Sequence, residues 1–189
     1  EVLPYTESFT ETPECWILKS ATVGTTKVGT SSSDYETWNR LQLSNGGIAI
    51  LPELAVDLKN VEVEIGLFNT TTNLGAVQLG VMDNTWDVST FQVIANIQTV
   101  NKPGSTGTYT SSVLETFSKM LNRYQGTGKV LAIKNAAAYA ICVKYVKLTE
   151  LPDCVKPQQV ELTFVKDNEA TVNWLAGLEE AWEIQLNDS

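Results

Sequence analysis

At 189 residues and a formal net charge of −9, the chain has room for one good-sized domain, or one domain and a fragment. Its 13 basic residues are scattered, which excludes a nucleic-acid partner and disfavours an anionic membrane surface. Histidine is absent, removing the commonest general base and metal ligand, and no apolar run is long enough for direct membrane insertion.

The first residues, Glu1 to Tyr5, do not form a signal peptide, so an exported protein would already have lost one. Gly24 to Asp34 is rich in turn-forming residues, and so is Ser44-Asn45-Gly46-Gly47. Val61, Val63, Ile65 and Leu67 alternate with Glu62, Glu64 and Gly66, the period of a half-buried strand. Asn69 to Gly75 reads as a turn before the alternating Val77, Leu79 and Val81. Phe91, Val93, Ala95 and Ile97 repeat the pattern, and Asn101 to Thr110 is again turn-rich. Val113 to Tyr124 is the one helix candidate of any size, although it reads almost as well as a strand. Lys129 to Lys134 and Tyr139 to Leu148 close the series. Short strands separated by turns predict an all-β, two-sheet sandwich over residues 1–151.

Two prolines in Leu151-Pro152-Asp153-Cys154-Val155-Lys156-Pro157 predict a stiff linker over residues 152–157. Strand-like runs follow at Val160 to Val165, Ala170 to Leu175 and Trp182 to Leu186. Three cysteines without CxxC spacing are too few for a disulfide scaffold or a zinc site. One disulfide and one buried thiol is the simplest accounting.

Residues 158–189 resemble the first half of a fibronectin type III domain. Pro157, Ala170-Thr171-Val172-Asn173-Trp174 and Trp182-Glu183-Ile184-Gln185-Leu186 fit that pattern in order, with Trp174 as core tryptophan. Four ordered segments of the first 151 residues resemble the MAM-like jelly-roll modules of the cleaved-adhesin type. They are Leu3 to Phe9 with Pro13-Glu14-Cys15-Trp16; Gly80 to Asp83 with Asp87 to Phe91; Tyr124 to Ile133; and Tyr145 to Leu148 with Leu151 to Cys154. The resemblance implies a jelly-roll sandwich in a secreted or cell-surface protein of bacteria, with further domains in the same chain. It also implies an adhesion or binding role toward carbohydrate or a protein ligand, without catalysis.

Opening and closing strands of a jelly roll run side by side, so the resemblance implies a disulfide between Cys15 and Cys154. Cys142, in an apolar run, becomes the buried thiol. Many such jelly rolls clamp calcium between an acidic residue near the opening strand and one on the closing strand. Glu7 matches the first position, but Lys144 and Tyr145 stand at the second. A Lys144 ammonium could sit beside Glu7 in place of the metal, or point to solvent along a sheet rim, and no metal or cofactor is expected.

Other constellations have plainer readings. Glu62 and Glu64 share a strand face about 6.6 Å apart, near glycosidase spacing, which leaves a glycan hydrolase as the enzyme alternative. They otherwise simply face solvent. Gly126-Thr127-Gly128-Lys129 lacks the glycine and hydroxyl of a phosphate loop, with Arg123 and Val130 at those positions, and is a turn. Asp83 and Asp87 could gather a calcium ion, but Asp side chains more often bond local amides and shape a turn. Trp86, Tyr35 and Trp38 lie outside clear strand cores and are the candidate ligand-stacking aromatics; Trp16 and Trp174 belong in cores. A ligand-free structural spacer is the third reading.

Overall fold

The computed structural model describes residues 2–152, 158–166 and 169–175. They fall in two units, Glu1–Glu150 and Leu151–Ser189. Strands of the first unit are β1 (Tyr5–Glu7), β2 (Ile17–Val28), β3 (Glu36–Ile50), β4 (Val61–Phe68), β5 (Ala76–Met82), β6 (Gln92–Gln98), β7 (Glu115–Met120), β8 (Val130–Asn135) and β9 (Ile141–Glu150).

Hydrogen bonding runs β6-β5-β8-β3-β9-β4-β7, with β1 joined to β9 and β2 to β3. The long β3 belongs to both layers of the sandwich. Leu41 to Leu43 pair with β9, whereas Ile48 to Ile50 pair with β8. Between them the predicted turn Ser44 to Gly47 is a corner inside the strand, not a loop between strands. Gly46 takes φ +68°, which costs glycine nothing, and Ser20 opposite takes φ 50°. The pairing jumps there from Lys19↔Ile48 to Ala21↔Leu43, so the β2–β3 hairpin bends as a unit.

The alternation read from sequence builds the core. Val63, Ile65 and Leu67 of β4 and Val143, Val146 and Leu148 of β9 meet Val77, Leu79, Leu131 and Ile133 of the other layer. A smaller apolar cluster occupies the outer face of the β5–β8–β3 layer. Ile48, Ile50, Met82, Val130 and Ala132 are covered there by Val88 and Phe91 of the loop after β5.

The helix candidate Val113 to Tyr124 holds strand β7, Glu115–Met120, instead. Its partner β4 offers a full ladder, Glu62↔Met120 to Leu67↔Glu115, and tertiary pairing overrides an ambiguous period. The turn-rich Gly24 to Asp34 is shorter than predicted, because β2 continues through Val28. Phe91 ends a turn before β6 and lies over Gly80. The closing strand starts at Ile141, two residues after Tyr139.

In the second unit, β10 (Gln158–Lys166) and β11 (Glu169–Leu175) form an antiparallel hairpin. Val160, Leu162 and Val165 are exposed, and Trp174 is half-buried rather than sunk in a core. A two-stranded ribbon has too little depth to enclose an indole. Trp182 to Leu186, the linker residues 153–157 and Cys154 lie outside the described residues, and with them the Cys15–Cys154 pairing. Cys15 is exposed. No described helix is long and apolar enough to cross a membrane.

Candidate functional site

The aromatics singled out from sequence separate into two places. Trp86 sits in the loop after the C-terminal end of β5, 76% exposed. Val88 and Phe91 pin that loop to the outer apolar cluster. Within it Asn84 Oδ1 accepts from the backbone amides of Trp86 and Asp87, and Asp87 Oδ1 accepts from Ser89. Bonds from the Ser89 hydroxyl and then its amide hold the Asp87 carboxyl below the usual carboxylate range. Its acidic side chain therefore shapes a turn, and among the described residues no acidic group gathers to hold a metal ion.

Tyr35 and Trp38 lie elsewhere, beside Tyr109 of the β6–β7 loop and Phe68 at the end of β4. Tyr35 packs on Tyr109 of the β6–β7 loop at 5.2 Å between centroids, with Lys27 Nζ over both rings at 4.9 and 5.6 Å. Thr110 ties the same loop to the hairpin, donating to the Lys27 carbonyl and accepting from Gly29 N. Asp34 closes the turn on the hydroxyls and amides of Thr30 and Ser31. Those bonds, the Thr30 hydroxyl first, pull its carboxyl down to about 2. Tyr35 is thus a fastener for the hairpin tip, its ring engaged by Lys27 and Tyr109.

Trp38 meets Phe68 edge to face, 5.2 Å between centroids, at the end of β4. Its Nε1 donates to Glu36 Oε2 at 3.1 Å, and Lys144 Nζ stands 5.6 Å from the ring centroid. Of the two positions the sequence left open for Lys144, the pair with Glu7 does not form. Between Gly66↔Tyr145 and Leu67↔Val143 the register slips by one residue, and Lys144 is the extra one. Such a bulge re-aims side chains, here toward Trp38. Glu7 instead accepts from Tyr5 Oη and Phe9 N, with Tyr5 Oη accepting from Trp16 Nε1. Trp16 is buried as expected.

The same bulge brings forward a residue that sequence reasoning missed. Tyr145 lies across Gly66, where any Cβ would collide with its ring. The ring spans β4 from β9 to β7, its hydroxyl 3.1 Å from Thr116 Oγ1 and donating to Glu64 Oε1 at 2.9 Å. Burial pushes the Tyr145 phenol upward. The available signal was a glycine breaking the Glu-x-Glu-x row of β4, which marks a close approach. Nothing local gave the partner.

Glu62 accepts from the Ser118 hydroxyl. Both glutamates therefore sit on the outer face of the β7–β4–β9 layer, engaged by a serine and a tyrosine. Arg40, two residues from Trp38 on the same side of β3, is half-buried and donates through Nε to Thr26 Oγ1. Beneath it Cys142 is fully buried, and burial pushes its thiol up to about 11. At pH 8 a thiol-specific reagent should leave Cys142 unlabelled in the folded protein and label it in denaturant, as read by peptide mass spectrometry. Labelling within minutes in the folded state would contradict this packing.

Gly126 to Lys129 is a loop, bent at Gly126, that leads into β8. Gly128 N donates to Tyr124 Oη at 2.9 Å, and Lys129 Nζ is 3.9 Å from Glu53.

No family model and no curated protein matches the chain. Among solved structures, the K2 cleaved adhesin domain of Lys-gingipain is similar at 14% identity and a TM-score of 0.58, over 78% of this chain and 98% of that one. The K1 cleaved adhesin domain of Lys-gingipain from Porphyromonas gingivalis W83 gives 13% identity and a TM-score of 0.55, covering 80% and 100%. The K3 cleaved adhesin domain, from the same organism, gives 12% and 0.53, covering 77% and 97%. At these identities the likeness is one of fold.

Proposed function

We propose that the chain is a non-catalytic binding module for carbohydrate, acting outside the cell or at its surface. Its ligand face is the outer side of the β7–β4–β9 layer around Trp38 and Tyr145. The observation that carries this reading is the Tyr145 ring laid across Gly66, one residue from the lysine that borders Trp38. Sugar rings present apolar C–H faces to aromatics and hydroxyls to polar neighbours, and this surface offers both. Thr116, Ser118, Glu62 and Glu64 supply the hydrogen-bonding border.

The enzyme alternative needs one carboxylic acid of raised pKa facing a second carboxylate across a sugar. Glu62 and Glu64 are instead two apart on one strand, already engaged by Ser118 and Tyr145 on an outer sheet face. The adhesin fold of the similar structures agrees with a binding role. In the same reading, residues 1–151 are the module, 152–157 a linker, and 158–189 the start of a fibronectin type III domain.

A glycan array probed with residues 1–189 tests the proposal. Binding to a restricted set of glycans is the expected result. No glycan above background, with retention of a protein partner or of nothing, would replace the reading with a protein-binding module or a spacer.

A further inference from the structure

Arg40 is a half-buried guanidinium with no carboxylate partner. Its Nε donates to the neutral Thr26 hydroxyl, its side chain also hydrogen-bonds the buried Cys142 thiol, and no described acidic group forms an ion pair with it. A half-buried charge held only by neutral partners is unfavourable, and the N–H groups that Thr26 and Cys142 do not use suit an anion. The Nε bond to Thr26 fixes the side chain, so little freedom is lost when a ligand takes those groups.

Lys144 is the second cation at the same place. Its ammonium stands over the Trp38 ring, and burial lowers its pKa while Glu36 opposes that shift. Glu36 is the acidic residue that acts on Lys144. Its carboxylate accepts the Trp38 indole N–H, and it is in ion-pair contact with neither cation. Lys144 and Glu36 thus meet Trp38, and Arg40 lies two residues along the same face of β3, bonded to Thr26, the cross-strand partner of Trp38, in a chain whose net charge is −9. That local excess of positive charge runs against the rest of the molecule.

From this cluster we infer that the glycan bound at Trp38 carries a carboxylate, as in a hexuronate or a sialic acid, received by Arg40 and Lys144. The inference rests on the carbohydrate reading and narrows it. A guanidinium matches a carboxylate with two parallel N–H···O bonds, whereas a neutral sugar hydroxyl uses only one. Stacking of the sugar ring on Trp38 would set the carboxylate at the border where the cations lie. The Glu36 bond to the indole orients that ring and keeps the acidic side chain out of the anion's position.

The test follows the Trp38 indole N–H and the Arg40 Nε–H by NMR. The protein is titrated with glucuronate, galacturonate and N-acetylneuraminate, each beside its methyl ester, with acetate as a simple anion. At least one sugar acid should move both signals, with its ester binding about tenfold more weakly and acetate weaker still. In Arg40→Gln the acid and ester should bind alike while the Trp38 signal still responds. Equal affinities for acid and ester in the native chain would overturn the inference, and so would an acetate response matching that of the acids. Silence toward all three acids would do the same. Neutral glycans that bind through Trp38 on the array would, in those cases, leave the carbohydrate reading standing. Failure of every glycan removes both.

Discussion

Asn135→Leu should lower the stability of the first unit by about 3 kcal/mol. Asn135 is buried at the end of β8, and its Nδ2 donates to the carbonyls of Leu43, Ser44 and Tyr139 at 3.0, 2.9 and 2.9 Å. Its Oδ1 accepts from Ala137 N at 2.8 Å. One amide therefore joins the corner of β3 to the loop between β8 and β9. Leucine keeps the volume and strips the polar groups, leaving the buried Leu43 carbonyl and the part-buried Ser44 and Tyr139 carbonyls without that donor. Each stranded buried group costs about 1–3 kcal/mol, and partial relaxation keeps the sum near the upper single value. The melting temperature should fall by roughly 6–12 °C for a unit of this size. A shift below about 0.5 kcal/mol in urea unfolding would mean that the corner does not depend on Asn135.

Gly47→Ala should cost about 2–3 kcal/mol for a different reason. A Cβ there would collide with the Ser20 carbonyl oxygen and lie 2.9 and 3.0 Å from the Ser44 oxygen and nitrogen. All three are backbone atoms, so no side chain can swing aside; the β2–β3 hairpin itself must shift. Gly46, next in the chain, meets no atom within 4 Å but has φ +68°. Alanine there should cost only about 1 kcal/mol, the strain of a left-handed conformation. Gly24 has open space and an ordinary φ, so its alanine variant should be nearly neutral. The expected order of loss is Gly47, Gly46, Gly24. Gly46→Ala as the worst of the three would show that conformation, not close packing, governs the corner.

The core was legible because period-two alternation depends only on which face of a strand is buried. Val61 to Leu67 and Val77 to Val81 needed no knowledge of their partners. What escaped was decided across strands. Val113 to Tyr124 carries an ambiguous period, and only the ladder with β4 makes it a strand. Ser44 to Gly47 announced a change of direction, but a change of layer within one hydrogen-bonded strand has no local signature.

The candidate face was half visible for the same reason. Trp38 stood out as an aromatic in a polar stretch, but its neighbours Arg40 and Lys144 had no visible link to it. The one-residue slip in β9 turns Lys144 toward Trp38 and lays Tyr145 on Gly66, and a slip is a property of two strands together. Trp86 was equally conspicuous in sequence, yet its loop is anchored on the outer apolar cluster of the β5–β8–β3 layer. Sequence reasoning could name exposed aromatics; it could not say which of them share a surface.

That separation permits a direct test of the binding face. A glycan retained on the array is titrated by calorimetry against the native chain, Trp38→Ala and Trp86→Ala, each checked for a native melting profile. The expected result is a loss of at least tenfold in affinity for Trp38→Ala, about 1.4 kcal/mol, with Trp86→Ala binding as the native chain does. The reverse pattern, with Trp86→Ala impaired and Trp38→Ala intact, would move the site to the loop after β5 and contradict the account.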